Sequence, residues 1–178
     1  MLKIEDLKLK DTRVLIRLDL NVPLKNGRVT DDFRIRAALP TVNYCLSQGA
    51  SVVIMSHLGR PGGEYREELS LISVGETLAD LLETQIKFTD DCISEDAISV
   101  SKELRPGEIH LLENLRFHKG EKRNDERFSM KLASHGELYV NDAFGTAHRA
   151  HASNVGVPSR FPIKAMGLLM EKEREFLY

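Results

Sequence analysis

The segment Ser51-Val52-Val53-Ile54-Met55-Ser56 constrains the fold of this chain more than any other. It is a nearly continuous apolar run, without the polar–apolar alternation of a strand that has one wet face. Such a run suits a strand buried on both sides within a parallel sheet. Its neighbours follow a different period. Before it, Ile35, Leu39, Val42 and Leu46 recur at helical spacing, and Gly49 closes that segment. Beyond a loop from His57 to Ser70, Leu71, Val74, Leu78, Leu81 and Leu82 share one helical face and read as core.

Strand and helix patterns alternate along the rest of the chain. Val14 to Leu18 reads as a first strand and Asn26-Gly27 as a turn. Thr30, ahead of Asp31 and Asp32, reads as a helix N-cap with acids in the first turn. Pro40 should kink that helix or begin a second piece. Further strands are expected at Ile86–Thr89, Ile109–Leu112 and Leu138–Val140, with helices over Ser94–Leu104 and Asp125–Ser134. Gly145 to Phe161 is long, polar and rich in small residues, the mark of a functional or disordered loop. A short strand near Ala165 and a helix from Leu168 complete the pattern. The expected fold is α/β: a three-layer α/β/α Rossmann-like domain with a mainly parallel sheet of about six strands. At 178 residues, one domain over 1–178 is expected.

Several function classes are disfavoured. A formal net charge of −2, without basic runs interleaved by aromatics, gives a nucleic-acid partner no support. Cys45 and Cys92 form no Cys-x-x-Cys pair, which argues against a zinc or redox site. Unpaired thiols fit a reducing, cytoplasmic setting, and Cys45 lies in an apolar pattern as a small core residue. The start, MLKIEDLKLK, has no apolar signal region. No apolar run approaches the roughly 20 residues of a membrane helix.

In parallel sheets, ligands bind outside the C-terminal ends of the strands. Asp19 and Asn21 follow the first strand; His57, Gly59 and Arg60 follow the second; Arg116 follows the fourth; His148, Arg149 and His151 come after the fifth. Arg34 opens the first helix at that same edge. Forked arginine donors match carboxylate and phosphate oxygens. Arg34, Arg60, Arg116 and Arg149 would repel one another unless an anion lay between them. Asp19 and Asn21 fit hydroxyl recognition or the orientation of those arginines. The implied ligand is small, polyanionic and hydroxylated. No metal is expected: His148 and His151 have His-x-x-His spacing but no Glu or Cys partner at zinc-like spacing. Gly62-Gly63 lacks the Gly-Lys-Ser/Thr ending of a phosphate loop and reads as a turn. Asn141 and Asp142 read as loop-bracing groups.

Six stretches carry a family resemblance: RLDLNVP (Arg17–Pro23), DDFRI with LPT (Asp31–Thr41), MSHLGRP (Met55–Pro61), LLENLRFHKGE (Leu111–Glu121), VNDAFGTAHRAHAS (Val140–Ser153) and GLLMEKE (Gly167–Glu173). In this order, over essentially the whole chain, the sequence resembles the N-terminal domain of phosphoglycerate kinases. That family moves a phosphoryl group reversibly between 1,3-bisphosphoglycerate and ADP, giving 3-phosphoglycerate and ATP in glycolysis.

The resemblance implies that Asp19 and Asn21 contact the hydroxyl and carboxyl end of phosphoglycerate. His57, Arg60, Arg116 and Arg149 would hold the phosphate that is not transferred, and Gly59 would belong to the same binding set. Arg34 would stabilise the moving phosphoryl group as the catalytic residue. Arg17, His148 and His151 would belong to a surrounding basic patch. Mg-ADP and Mg-ATP would bind a C-terminal domain that is absent here, with no cofactor in this chain. The helix at 168–178 would bridge to that domain. The chain alone would bind 3-phosphoglycerate without turning it over. A monomer is expected, with self-association possible through apolar residues of the last helix, and no nucleic-acid or membrane partner. The competing reading is a stand-alone sugar-phosphate or carboxylate binding module.

Overall fold

A computed structural model describes residues 2–143, 145 and 149–177. In chain order the strands are β1 (Leu2–Lys3), β2 (Arg13–Arg17), β3 (Leu24–Lys25), β4 (Arg28–Val29), β5 (Ser51–Met55), β6 (Lys87–Phe88), β7 (Ile109–Leu111), β8 (Leu138–Asn141) and β9 (Lys164–Met166). The helices are α1 (Phe33–Ser47), α2 (Ile72–Leu82), α3 (Glu95–Lys102), α4 (Lys119–Arg123), α5 (Glu126–Ala133) and α6 (Leu168–Leu177). Seven strands form one sheet in the order β1-β9-β8-β2-β5-β7-β6. Every pairing in that sheet is parallel. β3 and β4 form a separate hairpin, whose turn residues Asn26 and Gly27 both have positive φ (52° and 73°). A two-residue turn whose twist matches its strands requires that conformation.

Alternate residues of the central strands feed two cores, which makes the fold three-layered. Val14, Ile16, Val52, Ile54 and Val140 pack with α1 and α2 residues such as Ile35, Val42, Val74 and Leu78. Leu15, Val53, Met55 and Tyr139 point the other way, against Phe128 and Leu132 of α5 and against Val157 and Phe161. From β2 the chain adds β5 on one side and later β8 on the other. The order therefore reverses at β2, and a crevice opens beyond the C-terminal ends of β2, β5 and β8.

Four details differ from the sequence expectation. The sheet has a seventh strand, because Leu2 and Lys3 pair with Ala165 and Met166. Thr30 does not cap α1; its hydroxyl donates to the Pro23 carbonyl at 3.2 Å inside the hairpin. The helix begins at Phe33, so Asp31 and Asp32 precede its first turn, where Asp32 pairs with Arg36 at 3.0 Å. Pro40 does not begin a second piece: α1 runs 15 residues through it. The proline lies on the exposed side, where water can satisfy the carbonyl it leaves unpaired. The stretch before Phe161 is not wholly irregular: Ala152–Gly156 makes a π-helical turn and Pro158–Arg160 a 3₁₀ turn.

The end of the chain is fastened to the sheet. Asp142 accepts from Thr41 Oγ1 at 2.6 Å and from the Met170 amide at 3.0 Å, and Leu168 N donates to Thr41 Oγ1 at 3.0 Å. The apolar surface expected on α6 is therefore reduced. Leu168 packs on the core, and Leu169 and Met170 are half-buried. Phe176 remains 84% exposed. No helix among the described residues is long and apolar enough to cross a membrane.

Candidate functional site

The crevice contains a cavity of about 280 Å³ lined by Asp19, Asn21, Arg34, His57, Gly59, Arg60, Arg116, Gly145 and Arg149. Each of the substrate-contact residues expected from sequence lies on that wall, together with Gly145, which sequence reasoning did not single out. The loops after β2, β5, β7 and β8 and the first turn of α1 converge there.

The residues are tied to one another. Arg34 Nη1 donates to the Asn21 carbonyl at 2.6 Å and lies 3.6 Å from Asp19 Oδ1. Asp19 Oδ1 accepts from Asn21 N at 3.1 Å, and Asn21 Oδ1 accepts from Gly59 N at 2.9 Å. Gly59 has φ +62°, and a Cβ there would lie 2.8 Å from Leu69 Cδ2. The positive φ favours glycine, and a Cβ there would need the end of the Leu69 side chain to shift. Arg116 Nη1 reaches the Gly59 carbonyl at 3.2 Å. Asn114 knots the loops after β5 and β7: its Oδ1 accepts from Leu58 N at 3.2 Å and Arg116 N at 3.0 Å, while Nδ2 donates to the Leu58 and Leu69 carbonyls.

Arg17, expected in the basic patch, is fully buried and stands behind the wall. It occupies the same face of β2 as Leu15, turned toward α4 and the π-helical turn. Its Nε donates to Ser153 Oγ at 3.0 Å, Nη1 to the Leu18 carbonyl and to Ser56 Oγ, and Nη2 to His57 Nδ1 at 2.7 Å. The counter-charge is Glu121, also fully buried, which accepts from Ser153 N at 2.8 Å and Ser153 Oγ at 2.6 Å. A buried charge needs such partners. Sequence reasoning missed Glu121 and Ser153, because nothing in the spacing of residues 32 apart announces the contact.

Guanidinium only donates, so His57 Nδ1 must accept from Arg17. The ring proton is then on Nε2, free to serve the cavity that His57 lines. Burial, reinforced by Arg17, Arg116, His151 and Arg149, pushes the His57 pKa down to about 2. His57 is thus a fixed neutral donor. Arg116 is also lowered, first by burial and then by repulsion from Arg17, Arg149 and Arg60. His151 is half-buried behind this wall, its pKa lowered mainly by burial. His148 lies outside the described residues.

Among the described residues, one trio has metal-donor atoms within 4.8 Å of one another: Asp91, Cys92 and His118. Asp91 Oδ1 already accepts from His118 Nε2 at 2.6 Å and from Cys92 N at 2.7 Å, and burial holds the Cys92 thiol protonated. That closed cluster is no evident metal centre. Among the described residues, the main cavity offers cations and a single carboxylate, Asp19, beside Arg34. It suits an anion and gives magnesium little to bind.

Comparison with known proteins identifies the family. The family model described as phosphoglycerate kinase matches residues 4–178. The chain is 53% identical over 176 residues to the phosphoglycerate kinase of Moorella thermoacetica, covering 99% of this chain and 44% of that protein. It is 51% identical over 177 residues to that of Dictyoglomus turgidum, again 99% and 44%. The solved phosphoglycerate kinase of Pyrococcus horikoshii superimposes with a TM-score of 0.90 at 38% identity, over 99% of this chain and 45% of that one. That of Coxiella burnetii gives 0.88 at 40% identity, over 98% and 43%. The chain thus spans less than half the length of the relatives it matches, and along nearly all of its own length it belongs to the phosphoglycerate kinase family.

Proposed function

We propose that this chain is the phosphoglycerate-holding half of a phosphoglycerate kinase, a glycolytic enzyme that transfers a phosphoryl group between 1,3-bisphosphoglycerate and ADP. The observation that carries this reading is the convergence of Arg34, His57, Arg60, Arg116 and Arg149 with Asp19 and Asn21 around one cavity. His57, Arg60, Arg116 and Arg149 hold the phosphate that stays on the substrate. Asn21 and Asp19 orient the hydroxyl and carboxyl end. Arg34, fixed by Asn21 and Asp19, faces the acyl end and stabilises charge on the phosphoryl group as it moves. Phosphoryl transfer depends on such positioning and neutralisation more than on a strong base.

The nucleotide and its magnesium belong to a further domain. Among the described residues the cavity wall carries one carboxylate, Asp19, which already lies beside Arg34, so the wall favours an anion over magnesium. α6 leads toward that domain, and closure of the two halves excludes water. Alone, the chain binds 3-phosphoglycerate as a cytoplasmic monomer and does not turn over.

Calorimetric titration tests this. 3-Phosphoglycerate should bind the chain, Arg149→Ala should weaken it at least tenfold, and MgATP should give no comparable heat. Binding of MgATP in preference to 3-phosphoglycerate would contradict the reading.

A further inference from the structure

The short helix α4 turns Lys119, Lys122 and Arg123 to solvent and buries Glu121 completely. A fully buried glutamate is rare unless it is paired. Among the described residues, no cation lies within ion-pair distance of this one. Both carboxylate oxygens go to a single residue instead: Oε1 accepts from Ser153 N at 2.8 Å and Oε2 from Ser153 Oγ at 2.6 Å. Burying such a group seldom gains stability over an apolar residue of the same volume. Its use lies in what it holds in place.

Ser153 passes the constraint on in two directions. A carboxylate only accepts, so the Ser153 hydroxyl gives its proton to Glu121 and turns a lone pair to Arg17 Nε, 3.0 Å away. Arg17 in turn donates to His57 Nδ1 at 2.7 Å. Side chains from α4, the π-helical turn, β2 and the loop after β5 thus form one hydrogen-bonded file that ends at the cavity. The second direction runs along the backbone. Glu121 takes the Ser153 amide at the start of the π-helical turn, and Asn154 Nδ2 of that turn donates to the Arg149 carbonyl at 3.3 Å. Arg149 lines the same cavity. The charge of Glu121 matters as well as its shape. Burial lowers the pKa of Arg17, Arg116 and His151, and Glu121 is the leading group that opposes this at all three.

We propose that Glu121 is a positioning residue for the cavity: through Ser153 and Arg17 it fixes His57 with Nε2–H toward the ligand, and through the Ser153 amide it seats the segment that carries Arg149. The identity of the ligand rests on the phosphoglycerate reading; the constraint on His57 does not. Glu121→Gln is the informative change. Glutamine keeps the shape but offers one acceptor and one donor where Ser153 presents two donors. One orientation sets its N–H against the Ser153 amide. The other sets it against the hydroxyl, whose proton then turns toward Arg17. Arg17 loses its seat and its counter-charge, and its hold on His57 loosens.

The test is ¹⁵N NMR of the His57 ring in the ligand-free chain at pH 7, paired with calorimetric titration by 3-phosphoglycerate. In the natural chain His57 should show one neutral tautomer, protonated at Nε2. Glu121→Gln should move it to a mixture of the Nε2–H and Nδ1–H forms and weaken 3-phosphoglycerate about tenfold, the effect of losing a hydrogen bond to a charged group. His135→Asn controls for lost stability: it precedes β8, at the sheet edge away from the cavity, and should change neither readout. Should Glu121→Gln not fold, Ser153→Ala, which removes the hydroxyl and keeps the amide bond to Glu121, should move the His57 tautomer in the same way. A tautomer unmoved by either variant, or moved equally by His135→Asn, would overturn the proposal. A natural chain that does not bind 3-phosphoglycerate, but whose His57 tautomer still follows Glu121, would support the positioning role and fault the phosphoglycerate reading alone.

Discussion

Lowering the pH from 7 to 5 should remove much of the stability of this chain, and three buried histidines are the cause. Burial leads in each: it pushes His57 to about 2, His110 to about 3 and His135 to about 4. The last two share a neutral hydrogen-bonded chain. His135 Nε2 donates to the Cys92 carbonyl at 2.7 Å, so its Nδ1 accepts from Ser101 Oγ at 2.6 Å. Ser101 Oγ then accepts from His110 Nδ1 at 2.8 Å, and His110 Nε2 meets Thr89 Oγ1 at 2.8 Å. A folded-state pKa below the unfolded value of about 6.5 gives stability that is present above that value and lost as pH falls. By pH 5 each histidine forfeits about 2 kcal/mol, or about 6 kcal/mol together.

Asp142 opposes them. Burial raises its carboxyl to about 6, so the folded chain takes up a proton near there and recovers about 1 kcal/mol. The net loss is about 4–5 kcal/mol, against a typical domain stability of about 5–15 kcal/mol. Urea unfolding followed by circular dichroism at pH 7, 6 and 5 measures this as a falling midpoint at constant slope. His135→Asn should shrink the pH 7 to 5 loss by about 2 kcal/mol. A midpoint that barely moves, or folded-state imidazole signals titrating near 6.5, would refute the reasoning.

Three other outcomes are expected. Asp142→Asn, which stays neutral but can accept at one atom only, should gain on the natural residue by about 3 kcal/mol as pH rises from about 4 to about 6 and level off above that, whatever fixed cost the lost hydrogen bond adds; matched urea curves measure it. Ser153→Ala removes the hydroxyl joining Arg17 to Glu121 and should cost about 2–4 kcal/mol, a large effect for one oxygen. In a longer chain that includes the nucleotide domain, Arg34→Ala should lower turnover far more than Arg60→Ala; comparable losses would count against the role given to Arg34.

Much of the fold follows from local pattern. β5 and its helices are legible because an unbroken apolar run between helical stripes has few other homes. The wall of the main cavity is legible for a related reason: a parallel sheet gathers whatever follows its strands. β1 was not, since two residues flanked by charges pair only because β9, far along the chain, presents an edge. The misplaced cap at Thr30 has a similar origin, in a hydroxyl that serves the hairpin instead of the helix.

Arg17 is the instructive case. It alternates with Leu15 in an otherwise apolar strand, and period two alone places it on an inner face. The resemblance implies a place in the surrounding basic patch, whereas the strand period points to the buried position that Arg17 takes. Its partners Glu121 and Ser153, like the contact of His110 and His135 with Ser101, depend on tertiary placement that no spacing encodes. Asn141 and Asp142, read as braces, do brace: Asn141 Oδ1 accepts from Ala143 N at 3.0 Å, and Asp142 holds the start of α6.

The most direct test of the central claim is a residue-resolved NMR titration of this chain with 3-phosphoglycerate, followed by MgATP. The account predicts selective shifts at Asn21, Arg34, His57, Gly59, Arg60, Arg116 and Arg149, a His57 ring that stays neutral with its proton on Nε2, and little response to MgATP. No response to 3-phosphoglycerate in a folded sample, or shifts centred elsewhere, would contradict it.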